Sequence, residues 1–209
     1  MFSLSSAVRR RPLGALLIAG LALTPVACAT KKVSRIDPSS VTDLSGRWND
    51  TDSRLVANEL IQQSLSASWA RRYAETHGGA SPAVIVGDFK NRTLEHVPVG
   101  TFVRDLERAF INSGAVQVVA SATERQEMRA ERQDQQENAR ADSRARIGQE
   151  QGAKYMLQGE LQAIEDQEGR EKIVFYQVDA TLVDLESNQK VWVGQHKIKK
   201  YIERKRFGW

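Results

Sequence analysis

"AVIVGDFK", residues 83–90, opens on four consecutive apolar residues and ends on a polar loop. A run this short and this apolar fits a strand buried on both faces, the kind found in a sheet that helices cover. After "NRTLEHVPVG" (91–100), Phe102, Leu106 and Phe110 fall on one helical stripe and Gly114 supplies a C-terminal stop, which predicts a helix over 100–113. "VQVVAS" (116–121) then reads as a second strand. Strand, helix, strand in that order predicts a parallel βαβ unit.

Upstream lies "SGRWNDTDSRLVANELIQQSLSASWARRYAETHGG" (45–79). Leu55, Val56, Leu60, Ile61, Leu65, Trp69 and Tyr73 recur at helical spacing, Asn49 to Thr51 offers an N-cap, and Gly78 and Gly79 end the pattern. One amphipathic helix is expected there. Downstream, residues 121–152 are the most polar part of the chain, with acids and arginines three and four apart and capping-box spacing between Ser121 and Glu124. The spacing predicts a charged helix with a break near Asn138. Its thin apolar stripe (Met128, Ala139, Ile147) requires that it lie exposed, as a solvated face or a partner surface.

The last third alternates with period two. "YMLQGELQAIE" (155–165), "KIVFYQVDATLVDLE" (172–186) and "KVWVGQHKIKKYI" (190–202) read as three strands joined by the short links "DQEGR" and "SNQ". The fold class is therefore α/β: a single compact domain over 48–203 with a mixed five-stranded sheet, a βαβ unit followed by an antiparallel meander, and flanking helices. Residues 204–209 make a basic C-terminal tail.

At the other end, Arg9, Arg10 and Arg11 precede an apolar run from Leu13 to Leu23, too short to span a bilayer and shaped as the core of a signal peptide, residues 1–27. The lone cysteine, Cys28, follows Val26 and Ala27 in a pattern that resembles the end of a bacterial lipobox, with Pro25 departing from the usual leucine-like residue. Lipidation at Cys28 is the expected fate, with cleavage after Ala29 as the alternative. Ala29 in second place fits sorting to the outer membrane, on its periplasmic side. Residues 28–47, including "ATKKVSRIDPSS", carry no apolar periodicity and read as a flexible tether.

The formal charge of +4 comes mostly from the leader: without its three arginines, 27 of the 30 basic residues face 26 acidic ones. Global charge gives no reason to expect nucleic acid. Catalytic constellations are also lacking. His77, His96 and His196 have no ligand spacing, no G-x-S-x-G motif occurs, and "GDFKNRT" is no phosphate loop. Asp88, Asp179 and Asp184 are explained equally well by strand alternation. The sequence predicts no catalytic residue, no metal and no cofactor, and favours a binding module over an enzyme. Two blocks combine polar groups and turns in ways a core does not demand, and their candidate contact residues are Trp48, Asn49, Asp52 and Arg54, and Asn91, Arg92, Glu95 and His96. In the first block a local role competes, with Trp48 as a hydrophobic staple and Asn49 or Asp52 stabilising a helix terminus.

"DLSGRWNDTDSRLVANELI", "VIVGDFKNRTLEH", "FVRDLERAFINSG", "ATERQEMRAERQDQQENA", "GAKYMLQGELQAIEDQEG" and "VFYQVDATLVDLESNQKVWVGQHKIKKYI" resemble, in collinear order over 42–202, the LpoB family of lipoprotein activators of penicillin-binding proteins. The resemblance implies a compact α/β domain tethered by a lipid to the outer membrane. It also implies a partner, a class A penicillin-binding protein whose regulatory domain the activator docks on, and no catalytic residues of its own. A monomer is expected. The alternative is an envelope assembly lipoprotein related to the curli-secretion family, for which no pore-forming hairpins are evident.

Overall fold

A computed structural model describes residues 32–204. The leader, Cys28 and the tail beyond Arg204 lie outside the described residues. Elements follow in the order α1 (Asp50–Ser66), α2 (Trp69–Thr76), β1 (Ala83–Asn91), α3 (Val99–Ser113), β2 (Gln117–Val118), α4 (Ala122–Asn138), β3 (Tyr155–Glu168), β4 (Glu171–Asp184) and β5 (Lys190–Glu203). The sheet runs β2-β1-β3-β4-β5. β1 is parallel to both β2 and β3, and the β3–β4 and β4–β5 pairs are antiparallel. This is the expected parallel unit continued by a meander, an α/β domain built on one core.

β1 takes its place in the core through a register shift between Val86 and Phe89. The irregularity at Gly87 and Asp88 turns Phe89 onto the face already used by Val84 and Val86, where its ring meets Phe102 of α3 edge-on at 5.1 Å. Gly159 on β3 leaves the room: a Cβ there would collide with the Asp179 carbonyl oxygen and the Phe89 ring. α1 and α3 bury Val56, Leu60, Leu106 and Phe110 against this face, together with Leu157, Val178 and Leu182 of the meander.

Three expectations are corrected. The first helix is two helices, because the chain turns extended at Ala67 and the Trp69 indole donates to the Ser64 carbonyl at 2.7 Å, closing α1. The serines at 64, 66 and 68 favour such local side-chain and cap bonds over continued helix. β2 shrinks to two residues, since Ser121 must leave the sheet to cap α4, with its Oγ accepting from the Glu124 amide. The polar stretch breaks at Asn138, where the break is expected, but helix does not resume after it: 139–153 returns as an irregular strap.

Candidate functional site

The two polar blocks meet. Asn49 is the N-cap of α1: its side chain accepts from the Asp52 amide at 3.0 Å, and the Asp52 carboxylate accepts from the Asn49 amide at 2.9 Å. This reciprocal box fixes the direction in which the chain enters the helix. It also points Trp48 inward, where the indole lies edge-on to Phe102 at 6.1 Å and to Tyr176 at 5.6 Å. The staple reading is corrected in detail, because the residue four places into the helix is Ser53, and the indole N–H donates to its Oγ at 2.9 Å.

Glu95 closes the arrangement from the other block. Its carboxylate accepts from the Trp48 amide at 3.1 Å and from the Tyr176 hydroxyl at 2.7 Å. Asn91 donates to the Glu95 carbonyl at 2.8 Å and accepts from Thr93, so the 91–96 loop is folded on its own side chains. Burial, and then the hydrogen bond to Glu95, push the Tyr176 phenol well above its ordinary range, so it stays a donor.

Lys200 of β5 ties the same corner down. Its ammonium donates to Asp52 at 2.6 Å, to Asp43 at 2.7 Å and to the Arg47 carbonyl at 3.1 Å. Burial pushes the Asp52 carboxyl up, with Lys200 and the Asn49 amide pulling it down; burial works against the Lys200 charge, and Asp43 and Asp52 outweigh it. We assign the ionised pair, because the ammonium touches both carboxylates and the N-terminus of α1 favours negative charge.

Of the eight candidate residues, Trp48, Asn49, Asp52, Asn91 and Glu95 are thus brought into one network. Arg54 reaches the Ser39 carbonyl at 3.4 Å. Arg92 lies outside, 3.7 Å from Glu160, and His96 is exposed. Sequence reasoning missed three participants. Tyr176 and Lys200 sit at inward positions of alternating strands, and an inward lysine is itself a signal of a buried partner. Leu94 is fully exposed at the tip of the loop, an isolated apolar residue between polar neighbours. Among the described residues no three histidine, cysteine, aspartate or glutamate side chains form a group able to hold a metal, and no helix is long and apolar enough to cross a membrane.

Both Glu95 oxygens accept hydrogen bonds, so this one carboxylate holds the Trp48 amide and the Tyr176 hydroxyl together. What the network presents outward is a rigid loop carrying Arg92, Leu94 and His96. The fold is a single α/β domain with this buried polar network at one corner. Its family follows from the sequence: the profile described as peptidoglycan-synthase activator LpoB matches residues 52–198, and the chain belongs to that family. The family's description is that of a regulator of a synthase. Solved structures similar to this chain include the C-terminal domain of LpoB from Escherichia coli (16% identity, TM-score 0.45, covering 71% of this chain and 99% of that one). Another is the solution structure of E. coli LpoB (13% identity, TM-score 0.40, 97% and 96%). A third is a lipoprotein from Neisseria meningitidis (16% identity, TM-score 0.36, 57% and 83%). A search of curated protein sequences gives no significant match.

Proposed function

We infer that this chain is a periplasmic, non-enzymatic activator, lipid-anchored through Cys28 to the outer membrane, that binds a class A penicillin-binding protein and raises its rate of peptidoglycan synthesis. The observation that carries the reading is the family match across residues 52–198. Activation requires that the chain bind the synthase's active conformation more tightly than its resting one, since equal affinity for both shifts nothing. The rigid 91–96 loop suits that role, because a preformed contact costs little ordering on binding. In this reading Arg92, Leu94 and His96 touch the partner, while Trp48, Asn49, Asp52, Asn91 and Glu95 hold the loop and Arg54 the segment before α1.

Reach is a physical condition on the mechanism. The hydrogen bonds of Ser39, Asp43 and Arg47 keep the last part of the tether on the domain, leaving about 11 residues from Cys28 to Pro38, at most about 40 Å fully extended. The synthase must therefore project its regulatory domain toward the outer membrane. The test is to assay a cognate class A synthase in detergent for glycosyltransferase and transpeptidase rates, with and without the full chain. A severalfold rise is expected at saturating chain, and unchanged rates would remove the reading. Lipidation is checked separately by intact mass, with Cys28→Ser expected to lose the lipid increment.

A further inference from the structure

The sheet has a second face. Over β3, β4 and β5 none of its residues joins the core, which lies wholly on the α1 and α3 side. A solvated face of an antiparallel sheet carries polar residues. The middle of this one obeys: Gln162 pairs with Gln177 and Gln177 with Lys197, and the next row holds Glu160, Asp179 and Gln195. Toward the β3–β4 turn it does not. Ile164 stands opposite Phe175, and Ile173 opposite Tyr201. Ile164 is 67% exposed and Tyr201 59% exposed.

Charge is arranged asymmetrically around this quartet. Lys199 lies directly opposite Phe175, and Lys197 opposite Gln177. Neither has a carboxylate within ion-pair distance among the described residues, whereas Lys154, Lys172 and Lys200 all do. On the turn side, Tyr201 donates to Glu171 at 2.8 Å. An aromatic and aliphatic cluster rimmed by unpaired cations on one side and a carboxylate on the other has the composition of a binding hot spot with a fixed orientation. Arg92 connects it to the proposed loop contact, since its side chain reaches Glu160 and its amide donates to the Leu161 carbonyl.

We propose that this half of the open sheet face is the main docking surface for the synthase, receiving an apolar ridge of the partner on Ile164, Phe175 and Tyr201 and carboxylates of the partner on Lys197 and Lys199. The inference rests on the activator reading above and assigns that reading its surface and the chemistry of its complement. Two local roles compete for the same side chains: cross-strand pairs that merely stiffen the hairpin, and lysines that guard the β5 edge.

The experiment measures binding of the full chain to a purified class A synthase by surface plasmon resonance. Ile164→Glu and the double variant Lys197→Glu with Lys199→Glu are each expected to weaken binding about tenfold or more, the lysine pair losing most at low salt. Phe175→Glu is the stronger substitution, and thermal melts of all variants separate lost binding from lost folding. If the wild type binds and both exposed variants bind within about twofold of it, the assigned surface is wrong while the activator reading stands. If deleting residues 205–209 tightens binding and Ile164→Glu changes nothing, the tail covers this face and the proposal is overturned. Failure of the wild type to bind any class A synthase removes the activator reading and this surface together.

Discussion

The corner at the start of α1 and the arm formed by α4 with its returning strap are both built from charged and amide side chains, and they hold together differently. At the corner, the Lys200 and Asp52 side chains are only 10% and 7% exposed, and the polar groups surround a cluster of Trp48, Phe102 and Tyr176. In the arm no residue of α4 is buried. Glu150 is held by Arg129 through two bonds of 2.9 and 2.8 Å and by Arg132 at 2.8 Å, while Arg104 holds Glu124 at 2.7 Å. The distances are alike in the two regions. Burial decides the energy, because a charge that loses its partner at the corner stays desolvated, while one in the arm returns to water.

The sharpest way to break the comparison is at Lys200. Lys200→Met leaves Asp52 buried beside Asp43 with no cation, and should cost about 3 kcal/mol in urea unfolding of the full chain. Next comes Glu95→Ala, which strands the Trp48 amide and leaves the Tyr176 hydroxyl only the Gly46 carbonyl at 3.5 Å; about 2 kcal/mol is expected, with a change in tryptophan fluorescence. Ser121→Ala removes the α4 cap and should cost about 1 kcal/mol. That loss should show as faster amide exchange confined to 122–138 while the global unfolding midpoint stays put. A shift of the global midpoint comparable to that of Lys200→Met would show that the arm is part of the core after all.

These contrasts also account for which parts of the fold are legible in the sequence. β1, α3 and the three meander strands announce themselves through period and apolarity, and the structure keeps their ends within three residues, the largest difference being β3, which runs on to Glu168. The two-residue β2 does not, because "VQVVAS" has the pattern of a longer strand and only the need of Ser121 to cap the next helix cuts it short. At the corner, the sequence shows polar residues near a helix start without showing which way they face. That direction is set by Glu95, Tyr176 and Lys200, which come from three other places in the chain. A capping pattern is local and can be read along the sequence, whereas a hydrogen bond between residues 95 and 176 depends on register.

The smallest expected effect tests the arm through its acids. Hydrogen bonds from Arg129, with Arg132 adding to them, hold the Glu150 carboxyl down to about 2. The Arg104 guanidinium and then the Ser121 amide do the same for Glu124. A carboxyl whose value is depressed in the folded state stabilises that state above its unfolded value, near 4.3, and the contribution fades as pH falls toward about 2. Acid should therefore loosen the arm first. Backbone chemical shifts of 122–138 are expected to move toward coil values between pH about 4.5 and 2, before those of β3 and β4 change. The double variant Arg129→Gln with Arg132→Gln should weaken that pH dependence by loosening 122–138 already at neutral pH, while the global unfolding midpoint stays close to wild type, since the arm is solvated. If sheet and arm resonances instead titrate together in the wild type, the arm's ion pairs are coupled to the core, and the division between a buried corner and a solvated arm fails.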